Sequence, residues 1–161
     1  MSSEHIFKQY DAELESVRAK VLEMGGLVEK QIADAMKALV ESNPTLAQTV
    51  VKKDHQVNAL EVQIDEDCST IIARRQPAAG DLRMILMMIK TITDLERIGD
   101  EASKIARFAI SIHEANRAWS TKFSDVKAMA TVTQTMLRMA LNAFARSDET
   151  KVQEIAQMDE R

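Results

Sequence analysis

The chain has 161 residues, 45% of them hydrophobic and 29% charged, with a net charge of −4. The acid excess argues against broad nucleic-acid binding, and no apolar run approaches the roughly 20 residues of a membrane span. Glycine (4) and proline (2) are scarce, which disfavours sheets and tight hairpins, while the prevalence of Ala, Met, Leu, Glu, Lys, Gln and Arg favours long helices.

One cysteine, Cys68, cannot form an internal disulfide and fits a reducing compartment. The opening Met1-Ser2-Ser3-Glu4-His5 lacks the basic and apolar regions of a secretory signal, so a cytoplasmic location is expected.

The first helix is predicted from about Glu4 to Glu41. Phe7, Tyr10, Leu14, Val17, Val21, Met24 and Val28 recur in steps of three and four, which is one helical stripe. Ile32, Ala35 and Leu39 continue it. Gly25-Gly26 inside this helix reads as close packing or a bend rather than a phosphate loop, because no strand precedes it and no Lys-Ser/Thr follows. Ser42-Asn43-Pro44 ends the helix and opens the next, with Asn43 as cap and Pro44 at the first helical position. Helix two runs to about Arg75, with Leu46, Val50, Val57, Leu60, Ile64, Cys68 and Ile71 inward. Gln76 to Asp81 is the second break. Helix three follows, from about Leu82 to Ser111. Three such helices joined by short turns predict an antiparallel bundle.

Residues 113–121 have weaker periodicity and read as a linker, with Trp119 as a packing anchor. Helix four is predicted from about Phe123 to Arg146, with Val126, Met129, Thr133, Met136, Ala140 and Phe144 in phase. Ser147-Asp148 is a break with a cap, and a fifth helix starts near Glu149. A shift of 105 positions superimposes Ala35 on Ala140, Leu39 on Phe144, Ser42 on Ser147 and Asp54 on Asp159. The coincidence of the two helix breaks carries more weight than the identities. The expected architecture is all-α: a three-helix bundle over residues 1–112, a linker over 113–121, and the start of a second, incomplete bundle over 122–161.

Helix three holds the sharpest chemical signal. Ile85, Ile89, Ile92 and Ile110 define a stripe; Glu96 falls near its middle, and Asp100 follows one turn later, with Ser103 and Arg107 along the same face. Carboxylates on a core-side stripe need a compensating cation. That cation is either a basic side chain, with Lys104 one turn beyond Asp100 as the first candidate, or an oxygen-ligated metal such as Mg, Mn or Fe. Glu61 and Asp65 on helix two are weaker candidates for the same site or members of a solvated face. His5, His55 and His113 are isolated, and no Glu-x-x-His occurs, which argues against a ferritin-like di-iron centre. Cys68 reads as core, and no catalytic motif is present.

Asp94-Leu95-Glu96-Arg97-Ile98-Gly99-Asp100 resembles the Glu-x-x-x-Asp signature of the PhoU family. Arg74-Arg75-Gln76-Pro77 with Asp81-Leu82-Arg83 is similar to the turn before that signature, and Phe7 to Leu14 with Met24-Gly25-Gly26 is similar to the family's opening helix. The resemblance implies two similar three-helix bundles, each with an acidic motif in its third helix. It implies no enzymatic activity, and metal binding at Glu96 and Asp100. It also implies negative regulation of phosphate-starvation signalling and phosphate uptake. The implied partners are a sensor histidine kinase and the ATPase of the phosphate ABC transporter, reached in the cytoplasm or at the inner membrane. The second motif is expected beyond Arg161. The competing readings are a metal-binding bundle and a dimerisation scaffold, and the incomplete second bundle predicts a homodimer or domain-swapped oligomer.

Overall fold

The computed structural model describes residues 2–115 and 124–159, with side chains from residue 8 onward. Five α-helices follow in chain order: α1 Ser2–Val40, α2 Pro44–Arg75, α3 Ala79–Glu114, α4 Ser124–Arg146 and α5 Val152–Asp159. A short 3-10 turn, Glu149–Lys151, precedes α5. Phe7 and His5, as side chains, and Trp119 lie outside the described residues.

The apolar stripe of α1 is buried as its spacing predicts, through Leu14, Val17, Val21, Met24, Val28, Ile32, Ala35 and Leu39. The helix stops because Ser42 turns left-handed, at φ 51°. The Asn43 N–H then donates to Ala38 O at 2.9 Å. Asn43 Oδ1 accepts from Leu46 N at 3.0 Å, and Pro44 opens α2. The side chain thereby satisfies a backbone donor that a helix start leaves free.

Both limits of the third helix differ from expectation, and the fifth helix starts at Val152 rather than near Glu149. Helix α3 starts at Ala79 rather than Leu82, because the Leu82 N–H reaches Ala78 O at 2.9 Å and closes an earlier turn. Asp81 in that first turn is favourable to the helix dipole. Helix α3 also runs on to Glu114, so position 112 lies in its last turn. Residues 116–121 of the expected linker lie outside the described residues.

Long-range pairs give the topology. Arg75 at the end of α2 grips Glu13 near the start of α1 with two hydrogen bonds, Nε to Oε2 at 3.0 Å and Nη2 to Oε1 at 2.6 Å. Lys20 pairs with Asp67 at 2.7 Å. Both contacts set α2 antiparallel to α1. Tyr10 donates to Asp81 Oδ2 at 3.0 Å, so α3 returns parallel to α1. Burial, more than the hydrogen bond, pushes the Tyr10 hydroxyl up to about 12. The three helices enclose Val21, Met24, Val28, Ile64, Cys68, Ile85 and Met88, none of which is exposed at all. A side chain of the Ile or Met type buried this way contributes about 1.5–3 kcal/mol. Leu60, expected in the core, is only partly buried at its edge, because Val57 and Ile64 on either side take the inward phase of α2.

Helix α4 lies against α1 alone among the three bundle helices. Its expected stripe only partly meets the contact: Phe144 packs on the core and Met136 is partly buried, but Val126 and Met129 are exposed, at 40% and 70%, as are Thr133 and Ala140. Leu137 is buried instead, and Ala130, Leu141 and Phe144 pack beside it. The reason is Gly25. A Cβ there would sit 2.4 Å from Leu141 Cδ2, so the missing side chain is the seat on which α4 rests. Gly25 is therefore a close-packing glycine within an unbroken helix. The end of α4 repeats the end of α1: Ser147 has φ 53°, and Asp148 N donates to Ala143 O at 2.9 Å. Asp148 then caps the next turn through Thr150 N. Ala143, Ser147 and Asp148 stand 105 positions after Ala38, Ser42 and Asn43.

Candidate functional site

The buried line of α3 runs through Ile92, Leu95, Gly99, Ala102, Ser103 and Ala106. Glu96 and Asp100 each stand one position beyond a member of that line, and both are half-buried. They therefore flank the apolar seam rather than occupy its middle. Two carboxylates one helical turn apart repel each other, and a half-buried setting strengthens that repulsion.

Helix α2 brings Glu61, also half-buried, to the same seam. Burial holds the Glu61 carboxyl above the usual range, and the negative charges of Glu96 and then Asp65 push it further in that direction. Glu61 of α2 and Glu96 of α3 thus lie close enough for the negative charge of one to be felt at the other. Asp65 acts on Glu61 from an exposed position one turn along, and Asp100 lies one turn beyond Glu96. Among the described residues, no three His, Cys, Asp or Glu side chains are gathered closely enough to enclose a metal ion.

The expected cation is elsewhere. Lys104 Nζ bonds Glu101 Oε1 at 2.7 Å, on the exposed side of α3. Glu101 is accordingly the main cause of the raised Lys104 pKa, and Asp100 a lesser one. Arg97 pairs with Asp94 at 3.7 Å. Arg107, expected on the acidic face, is exposed, whereas Ser103 is fully buried; the helix phase carries residue 107 past the seam. Among the described residues, neither Glu96 nor Asp100 has an ion pair or hydrogen bond to a side chain. The seam holds carboxylates without their counter-charge.

Beside it lies a polar contact that the sequence reading did not single out. Gln31 of α1 donates from Nε2 to Asp54 Oδ1 of α2 at 2.9 Å, and the two residues are only 6% and 9% exposed. Gln31 Oε1 has no partner and points at Gly99, where a Cβ would lie 2.9 Å away. The glycine inside the acidic motif is what admits Gln31. The signal was present: Gln31 follows Val28, and Asp54 follows Val50, at core spacing. His55 and His113 are exposed and outside this arrangement. Cys68 is core, its thiol pushed up to about 11, chiefly by burial.

Chemically, the seam offers hard oxygen donors and uncompensated negative charge, the donor set that suits Mg, Mn or Fe. It offers no nucleophile–base pair.

Comparison with known proteins identifies the architecture. The PhoU domain model matches residues 21–109. The chain is 49% identical, over 96% of its length, to the phosphate-specific transport system accessory protein PhoU homolog of Pseudomonas aeruginosa, and spans 64% of that protein. It is 50% identical to the homolog of the same name in Pseudomonas putida, again over 96% of its length and spanning 60% of that relative. The chain thus spans less than two thirds of the length of these two relatives. The crystal structure of PhoU from Pseudomonas aeruginosa superimposes with a TM-score of 0.89 at 48% identity, covering 94% of this chain and 72% of that one. The chain belongs to the PhoU domain family.

Proposed function

We propose that this chain is a non-enzymatic regulatory adaptor of phosphate transport. In this reading it restrains phosphate uptake and phosphate-starvation signalling by docking helix faces on a sensor histidine kinase and on the ATPase of the phosphate ABC transporter. The observation that carries the reading is the identity of 49–50%, over 96% of this chain, to proteins named as accessories of a phosphate-specific transport system. No helix among the described residues is long and apolar enough to cross a membrane, which agrees with an adaptor that reaches the membrane through its partners, from the cytoplasm.

The same reading assigns Glu96 and Asp100, with Glu61 and Asp65 as outer contributors, to a divalent or trivalent metal such as Mg, Mn or Fe. A cation would relieve the repulsion between Glu61 and Glu96 that the fold otherwise leaves standing. The metal would serve regulation or bundle rigidity, not turnover. The test has two arms. In a bacterium lacking its own accessory protein, expression of this chain should lower phosphate uptake in phosphate-rich medium, and the purified chain should retain the transporter ATPase. Failure of both removes the adaptor reading. Calorimetric titration with Mn should show binding that the Glu96→Ala, Asp100→Ala double variant loses while staying helical; a chain that binds no Mn removes the metal assignment and leaves the adaptor reading intact.

A further inference from the structure

The packing around Gly99 fixes how the three bundle helices line up. A Cβ there would meet Val57 at 3.6 Å and Val28 at 3.7 Å, so Val28, Val57 and Gly99 share one level of the core. Helix α3 runs parallel to α1 and antiparallel to α2. One turn further, three or four residues along each chain, the corresponding level is Gln31 of α1, Asp54 of α2 and Ser103 of α3. The turn after that brings Ala35, Val50 and Ala106, all buried. A wholly polar level is thus enclosed between two apolar ones. Gly99 on one side and two alanines on the other keep its neighbours small.

All three polar side chains are nine-tenths or more buried, Ser103 completely. The bond from Gln31 Nε2 to Asp54 Oδ1, at 2.9 Å, is the only side-chain hydrogen bond of the level among the described residues. Gln31 Oε1 and Ser103 Oγ have no partner. Asp54 has no ion pair among the described residues, and the adjoining Lys52 and Lys53 are exposed. A buried carboxylate without a cation is costly, and two oxygens without partners add to that cost. A water molecule would supply hydrogen bonds but no charge. Divalent ions are held by richer sets of oxygen ligands, whereas this level has one carboxylate.

We propose that this level binds a single alkali cation, sodium or potassium, held by the Asp54 carboxylate, Gln31 Oε1 and Ser103 Oγ. The ion neutralises Asp54, gives both orphan oxygens a partner, and joins α1, α2 and α3 at one point. The site shares no residue with the acidic seam, where Glu61, Glu96 and Asp100 stand half-buried on the flank of the bundle.

Urea unfolding of the full chain tests this, in buffers with EDTA where sodium chloride or potassium chloride replaces choline chloride at constant ionic strength. One bound ion raises the folding constant with ion concentration, approaching about tenfold per tenfold above the dissociation constant. That rise is expected with at least one of the two ions. Asp54→Asn should abolish it, and the Glu96→Ala, Asp100→Ala double variant should keep it whole. Ser103→Ala removes only an unpartnered hydroxyl and carries little folding risk. In choline it should be at least as stable as the native chain, and in the favoured salt less stable. Should Asp54→Asn fail to fold, that crossing decides. Equal folding constants in all three salts overturn the site and leave the level to water. A rise that Ser103→Ala retains in full, or that the Glu96, Asp100 double variant loses, overturns it as well.

Discussion

Replacing Gly99 by alanine tests the packing of the acidic motif directly. In an open helix the change would stabilise the chain by about 1 kcal/mol, the propensity difference between the two residues. Here the new Cβ would lie 2.9 Å from Gln31 Oε1, with Val57 Cγ1 at 3.6 Å and Val28 Cγ2 at 3.7 Å. The valines tolerate it; Gln31 must move. Moving Gln31 breaks its 2.9 Å bond to Asp54, and a buried hydrogen bond to a charged group is worth about 1.5–3 kcal/mol. The net effect is a destabilisation of about 0.5–2 kcal/mol, or a fall in Tm of about 1–8 °C for a chain of this size. In a Gln31→Ala background the obstacle is gone, and Gly99→Ala should stabilise by about 1 kcal/mol. Urea unfolding of the four proteins in the cycle gives the coupling, expected at about 1.5–3 kcal/mol. If Gly99→Ala stabilises both backgrounds equally, Gln31 does not pack against Gly99 and the account of the motif's glycine is wrong.

Ile64→Ala should destabilise the bundle by about 2–5 kcal/mol, and Leu60→Ala, at the core edge, by clearly less; denaturant midpoints that reverse this order would contradict the observed phase of α2. Glu61→Gln should raise the Tm of the metal-free chain at about pH 7. Because the folded state holds the Glu61 carboxyl above its ordinary value, its penalty is present above the folded pKa and absent below the unfolded one, so the gain should vanish in acid. A gain that persists at about pH 3 would show that the effect is not electrostatic. The chain should self-associate through Val126, Met129 and Val132, which are 40%, 70% and 40% exposed, since contiguous apolar patches drive association. A compact monomer by light scattering at high concentration would count against it.

Helix limits were legible where the sequence carries its own punctuation. Asn43-Pro44 both stops α1 and starts α2, and the cap hydrogen bond forms as the residue types demand. The start of α3 was less legible, because Ala78 offers no side-chain cap and the turn closes through backbone alone. The stripe of α4 was only partly right, at Phe144, for a physical reason: periodicity reports an apolar face, but not which of two adjacent faces a neighbouring helix covers. A glycine 116 residues away in α1 decided that choice through Leu141. The acidic pair was visible from spacing, although it flanks the apolar seam rather than standing at its middle. Lys104 as the source of its counter-charge was not sound, since an i, i+3 partner, Glu101, competes for the same ammonium. The Gln31–Asp54 contact was hidden because single polar residues in a stripe look like interruptions until the facing helix is known.

The shared position of α1, covered by α2 and α3 on one side and by α4 on the other, bears on how freely its residues can vary. Two stripes of its first thirty residues are covered: Leu14, Val17, Val21, Met24 and Val28 by the bundle, and Arg18, Gly25 and Glu29 by α4. Saturation mutagenesis across this helix should therefore show two intolerant stripes there rather than one. A side chain at position 25 should be accepted only together with a smaller residue at position 141 in α4.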